Sequence, residues 1–231
     1  MRILEVNNVD TFYKASQALF GISISINDGE VVGLIGRNGA GKTTTLKTVM
    51  GIVPSRTGSI KFHGKEIKNE PIHKIAQMGV GFVPADRRIF PGLTVADNLK
   101  IVSKRGGSWT IQRVYEAFPD LGRFHNHLGD RLSGGLQQML TIGRTLMTDP
   151  EVLLLDEPSE GLSVLVRRAV QGFIDVLRNE GKGILLAEAN VKFALDVCNR
   201  IYILEKGQIR SEESSVLLRD NPEILTRYVT V

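Results

Sequence analysis

The sequence carries a single cysteine, Cys198, among 231 residues. That excludes an internal disulfide and fits a reducing cytosol. Cys198 lies beside Val197, Asn199 and Ile201 and reads as a small core residue. No apolar run approaches the ~20 residues needed to cross a bilayer. The longest candidates, near Val31–Ile35 and Val152–Leu155, are strand-sized. The start, Met1-Arg2-Ile3-Leu4-Glu5, lacks the charged-then-apolar layout of a secretion signal. There is little net charge, +4 against 29 basic and 25 acidic side chains, and no dense Lys/Arg tract. Charge therefore does not point to nucleic acid, although mild basicity suits an anionic nucleotide or a place beside a membrane. His63, His73, His125 and His127 lack metal-ligand spacing with Cys or acids, which argues against zinc. Repeats and low-complexity tracts are missing too. What is present is ordinary globular composition, enough for one large domain or a domain with a subdomain.

Along the chain, residues 2–9 read as an edge strand. Leu19–Ile26 alternates, with Ile22, Ile24 and Ile26 on one face and Ser23 and Ser25 on the other, the period of a half-buried strand. Asn27-Asp28-Gly29 supplies turn chemistry before a strand over Glu30–Ile35. Gly58–Phe62 and Val80–Val83 are short strands, and Pro71–Met78 is a helix stopped by Gly79. Thr94-Val95-Ala96-Asp97 offers a capping box for a helix through Val102. From about 95 to 145 the reading is mostly helical, broken by Gly106-Gly107 and Pro119. Alternation then resumes: strand Val152–Asp156, helix Val164–Asn179, strand Ile184–Ala187, helix Val191–Val197, strand Ile201–Leu204. Such alternation implies a mainly parallel α/β sheet with residues 95–145 as an inserted helical subdomain.

Residues 36–43 read Gly-Arg-Asn-Gly-Ala-Gly-Lys-Thr. They follow the apolar run Val31–Ile35 and precede a helix-like stretch, Thr43 to Met50, the context a phosphate-binding loop requires. Glycines let successive backbone N–H groups point at one anion, and the following helix adds its positive dipole end. Lys42 can reach the β- and γ-phosphates of a nucleotide and the Thr43 hydroxyl can ligate Mg²⁺. Gly36, Arg37, Asn38, Gly39, Ala40, Gly41, Lys42, Thr43 and Thr44 are accordingly candidate nucleotide ligands.

Farther on, Val152-Leu153-Leu154-Leu155-Asp156-Glu157-Pro158 is an apolar strand ending in two acids. Ligands of open parallel sheets sit beyond the carboxyl ends of strands. Asp156 is expected to hold the Mg²⁺ shell, and Glu157 to polarise the water that attacks the γ-phosphate. Between these motifs, Ser133-Gly134-Gly135 opens a helix-competent stretch, Gln137–Met147, in which Met139, Leu140, Ile142, Gly143 and Leu146 share a core-facing side. Its bare N–H groups make a second anion cradle. One nucleotide does not need two cradles from one chain, whereas two chains can each lend a cradle to the other.

Phosphate loop, Ser-Gly-Gly segment and Leu-Leu-Leu-Asp-Glu-Pro, in this order over essentially the whole chain, resemble the ATP-binding-cassette (ABC) ATPases. The resemblance implies a phosphate-loop α/β fold of ABC type. It has a mainly parallel sheet core (about 1–94 and 146–231), an antiparallel N-terminal β-subdomain and a helical subdomain (about 95–145), in one ATPase domain over 1–231. It implies a head-to-tail dimer with two ATPs between phosphate loops and opposing Ser133-Gly134-Gly135 segments, closed by ATP and reopened by hydrolysis. Tyr13 falls where the family stacks an aromatic ring on adenine, with Phe12 as the neighbouring candidate. Ser159-Glu160-Gly161-Leu162-Ser163 matches the loop crossing the dimer seam, while Glu160 and Ser163 also fit a solvated helix cap. Arg87, Arg88 and Phe90 lie where the family meets its membrane partner.

The segment from Val83-Pro84 to Asn98-Leu99, with Gln137-Gln138-Met139, is similar to the shorter ATPase subunit of branched-chain amino-acid importers. Urea and short-amide importers share nearly the same pattern. The resemblance places the chain peripherally on the cytoplasmic face of the membrane, with polytopic permease subunits and a second ATPase as partners. A solute-binding protein takes part only indirectly, and nucleic acid not at all. Soluble family members acting on nucleic acid usually carry a long coiled coil or two cassettes, and neither is present.

Three positions depart from the family rule. After Val83-Pro84 most relatives carry Gln or Glu, where this chain has Ala85 followed by Asp86. After Leu186-Ala187-Glu188 most carry His, some Gln, where this chain has Ala189. The last position of the Ser-Gly-Gly segment, commonly Gln or Glu, is Leu136. A methyl group makes no hydrogen bond, and losing one preorganised transition-state contact costs ~3 kcal/mol. The expectation is an asymmetric heterodimer, with a homodimer as the alternative. This chain's own loop would bind ATP and turn it over slowly, or not at all in a structural role, while Ser133-Gly134-Gly135 completes a site on another chain.

Overall fold

The computed structural model describes residues 1–227. Two sheets stack with helix α1 (Lys42–Val49) between them. The smaller is antiparallel, in the order β2 (Ser16–Asn27), β1 (Arg2–Tyr13), β4 (Ser59–Phe62), β5 (Lys65–Glu66). The larger has six strands: β10 (Gln208–Ser214), β9 (Arg200–Glu205), β3 (Val31–Ile35), β8 (Gly183–Glu188), β7 (Val152–Asp156) and β6 (Val80–Val83). All its pairings are parallel except β9 with β10.

Burial explains which strand goes where. Ile22, Ile24 and Ile26 of β2 are buried while Ser23 is exposed, the alternation of a sheet with one wet face. In β3, β7 and β8 every residue is buried, as parallel strands covered on both faces must be. This difference overturns the hairpin expected at Asn27-Asp28-Gly29. The turn forms, but β3 crosses into the other sheet and pairs with β8 and β9 instead of β2. The first strand is also not an edge: it runs to Tyr13 and lies between β2 and β4.

Helix α2 (Ile72–Met78) ends at Gly79, whose φ of 112° suits glycine. The region from 95 onward contains α3 (Val95–Lys100), α4 (Ile111–Ala117), α5 (Pro119–Arg123), a 3₁₀ turn at Gly129–Arg131 and α6 (Gly134–Leu146). Thr94 caps α3 by accepting from Asp97 N at 3.1 Å. The Asp97 carboxylate takes the Thr94 hydroxyl proton, and the helix stops two residues short of Val102. Pro119 opens α5 instead of merely breaking helix, because a helix's first turn needs no proline N–H. The remaining helices are α7 (Val164–Asn179), α8 (Val191–Val197), α9 (Ser215–Asp220) and α10 (Glu223–Thr226).

Two apolar clusters flank the large sheet. One joins it to β1, β2 and α1. The other runs without a break from Val31, Val83 and Leu153 into Leu99, Val114, Phe118 and Leu121 of the helical region. Phe173 of α7 meets Trp109 and Phe118, with ring centroids 6.1 and 5.2 Å away. Removing the Phe118 ring would cost about 3–5 kcal/mol. Arg200 ties the layers at the other end, donating to Glu30 Oε1 at 2.6 Å and to the Ser25 carbonyl at 2.6 Å. Burial pushes the Glu30 carboxyl upward. Bonds from Arg200 and Asn27 outweigh it and hold Glu30 below the ordinary carboxylate range. Cys198 is buried, and burial pushes its thiol well up, as befits an inert packing residue.

Candidate functional site

At the carboxyl end of β3 the chain turns back over the sheet and enters α1. Gly39 and Gly41 have φ of 80° and 115°, values that side chains with a Cβ rarely adopt. At Gly36 a Cβ would lie 2.3 Å from the Leu204 carbonyl oxygen, so this end of the loop packs directly on β9. Lys42, the first residue of α1, is 4% exposed. Its ammonium donates to the Gly36 carbonyl at 2.9 Å and lies 3.2 Å from Glu157 Oε1. A cation is thus stored inside the loop's curl, held by one carbonyl and one carboxylate.

The adjacent hydroxyl is equally directed. Thr43 Oγ1 donates to Asp156 Oδ1 at 2.9 Å. Asp156 ends β7 almost fully buried, and burial raises its carboxyl above the usual range against the Thr43 bond. A hydroxyl and a carboxylate side by side are hard oxygen donors of the kind Mg²⁺ takes, so this pair fits that ion. Glu157 follows at φ 47°, pinned by its N–H on the Ala187 carbonyl at 2.9 Å. Glu160, one turn on, has its carboxyl raised chiefly by the neighbouring Glu157 carboxylate.

These groups border a cavity of about 520 Å³ lined by Asn38, Gly39, Gly41, Lys42, Thr43, Thr44, Glu157 and Ala85. Its size and cationic floor fit a nucleoside triphosphate. Tyr13 is outside this lining and half-exposed, its hydroxyl 3.5 Å from Thr44 Oγ1. Phe12 is engaged elsewhere, under the Arg56 guanidinium at 3.9 Å. Sequence reasoning missed Phe20, Gln17 and Lys206, which line the same cavity. The available signal was Phe20, a large ring at a position of β2 whose alternation faces it away from the core.

Ser133-Gly134-Gly135 does not join this cavity. Ser133 caps α6, accepting from Leu136 N at 3.4 Å, and all three residues are at least partly exposed. Leu136 packs on the core cluster. Ser163 caps α7 in the same manner.

Ala85 presents only its methyl to the cavity, and Asp86 does not replace the missing amide. Its carboxylate accepts both 3.0 and 2.8 Å bonds from Arg88 Nε. Arg87 and Arg88 both have positive φ, 61° and 41°. With Ile89 and Asp130 they line a neighbouring cavity of about 420 Å³, and half-exposed Phe90 stands beside the Arg144 guanidinium. Among the described residues, no helix is long and apolar enough to cross a membrane.

A phosphate loop on a parallel strand, with two acids closing the neighbouring strand, defines a nucleotide-triphosphate-binding domain of the phosphate-loop class. The family model described as "ABC transporter" matches residues 19–160. The chain is 38% identical to the high-affinity branched-chain amino acid transport ATP-binding protein BraG of Pseudomonas aeruginosa, covering 98% of this chain and 99% of that one. It is also 38% identical to the lipopolysaccharide export system ATP-binding protein LptB of Haemophilus influenzae, over 90% and 89%. A crystal structure of a nucleotide-free ATP-binding cassette from an ABC transporter superposes with a TM-score of 0.83, at 25% identity over 100% of both chains. The chain belongs to the ABC transporter family, as one of its ATP-binding cassettes. It is a transport-coupled ATPase that uses ATP with Mg²⁺, and its family's cassettes dimerise and work with membrane permease subunits.

Proposed function

We propose that this cassette powers an importer of branched-chain amino acids from the cytoplasmic face of the membrane. The similarity to BraG, which spans nearly the whole of both chains, carries the reading. Similarity to LptB favours a second reading, the motor of a lipopolysaccharide exporter. The test is reconstitution with the permease that co-purifies. ATP-driven leucine uptake supports the first reading, and its absence with ATP-driven lipid extraction supports the second.

The side chains divide the work as follows. Gly36–Thr44 wraps the triphosphate, and Lys42 exchanges Glu157 and the Gly36 carbonyl for phosphate oxygens. Thr43 and Asp156 hold Mg²⁺, which when bound neutralises charge on the phosphates. Glu157, released from Lys42, accepts a hydrogen bond from the attacking water and orients it. Tyr13 and Phe20 offer aromatic faces to the base. Ser133, Gly134 and Gly135 serve a nucleotide held by the facing chain, and residues 95–145 form the arm that carries them.

The facing chain is a different ATPase. Ala85 and Ala189 supply no hydrogen bond where relatives have one, and Asp86 is occupied by Arg88. This chain's own site is therefore slow, and the purified chain alone should turn over far below one ATP per second. Turnover of tens per second would defeat the asymmetry.

A further inference from the structure

Beneath the cavity lies a carboxylate that none of these roles uses. Glu188 closes β8 and is 1% exposed. Its Oε1 accepts from Ser159 N at 3.0 Å, and its Oε2 from Asn190 N at 3.1 Å. Each oxygen thus grips a different loop. One loop is the segment 157–163 that begins with Glu157. The other is the segment after β8 that contains Ala189 and leads into α8, where Asn190 caps the helix by accepting from Phe193 N at 3.0 Å. A second tie runs in parallel, from Glu157 N to the Ala187 carbonyl.

Burying an ionised carboxylate is costly unless it is well bonded. Burial pushes the Glu188 carboxyl upward, and the bonds from Ser159 and Asn190 work in the opposite direction. Packing alone gives no reason to place an acid here, since β8 is otherwise Gly183 followed by Ile, Leu, Leu and Ala. A two-pronged acceptor does one thing an apolar side chain cannot: it makes two loops move as one body.

We propose that Glu188 is a positioning residue that clamps the Glu157 loop to the Ala189–Asn190 loop and so fixes the angle at which the Glu157 carboxylate meets water. The proposal rests on Glu157 as the water-orienting group. With only a methyl at position 189, this clamp is the polar side-chain link between the two loops. A small misplacement of a catalytic group costs up to ~10²-fold in rate.

The test uses the full chain assembled with its ATPase partner and permease. Glu188→Gln keeps the shape and one acceptor oxygen but places an NH₂ against the second N–H. The expected result is a fall in single-turnover γ-phosphate release of about tenfold, with the Mg-ATP Kd unchanged within twofold. Amide exchange should rise in both loops together, over residues 157–163 and 189–193. Should that variant fold poorly, Glu188→Asp, which keeps the charge but reaches only one loop, should show the same split between rate and affinity. Unchanged release would overturn the proposal. So would an equal loss of rate and affinity with exchange rising throughout the chain, the mark of a merely structural acid. Failure of the underlying role of Glu157 looks different: Glu157→Gln would leave release untouched while Glu188→Gln still loosened both loops.

Discussion

The two anion cradles of this chain are built to different degrees of completion. The phosphate loop carries a buried ammonium, a hydroxyl paired with a buried acid, and a second acid within 3.2 Å of the ammonium. The Ser133-Gly134-Gly135 segment has one capping hydroxyl, partly exposed glycines and no such cavity around it. One cradle is enclosed by the fold that presents it. The other is an open half whose missing walls must come from outside. An enclosed site can be tuned on its own chain, whereas an open one is defined by its partner.

Substitutions can break that contrast. Lys42→Ala should weaken Mg-ATP binding by more than about 10²-fold, measured by calorimetry on the isolated chain, because a buried charge-assisted contact is lost. Glu157→Gln should lower single-turnover γ-phosphate release by about 10²–10³ while leaving Mg-ATP bound. No change there would make this half of the motor structural. Ser133→Arg should leave calorimetric binding by the isolated chain unaltered, yet cut turnover of the assembled transporter by roughly 10². If it weakened binding by the isolated chain, the open cradle would belong to its own nucleotide and the contrast would fail. Ala85→Gln should raise the chain's own turnover by about tenfold, restoring part of one transition-state contact. The smallest effect is expected for Tyr13→Ala, a loss of about fivefold in ATP affinity at ~1 kcal/mol for a stacked ring. Phe20→Ala in the same titration decides which ring carries the base.

The enclosed cradle was far more legible in the sequence than the contacts around it. Gly36 to Thr43 and Asp156-Glu157 announce themselves because phosphate and metal chemistry constrains residue type at fixed spacing. Helices α7 and α8 were read to the residue, since Ser163 and Asn190 are capping residues that mark their starts. Strand partners were not legible. Asn27-Asp28-Gly29 looks the same whether the next strand returns to its neighbour or crosses to another sheet, and only the all-buried character of β3 decides it. Nor does sequence show that Asp86 turns to Arg88, or that Phe20 and Lys206 share a wall of the cavity, because those residues come from segments far apart in sequence. Glu188 reads as one more strand residue until its two loop contacts are seen.

The ion pair between Lys42 and Glu157 has a consequence for how such a motor idles. With each group neutralising the other, the resting cassette displays neither a bare cation to stray anions nor a free base to water. Incoming triphosphate competes for Lys42, and in winning it liberates the carboxylate. Fuel and trigger are then the same molecule, so the machine stays safe when empty and arms itself only on loading.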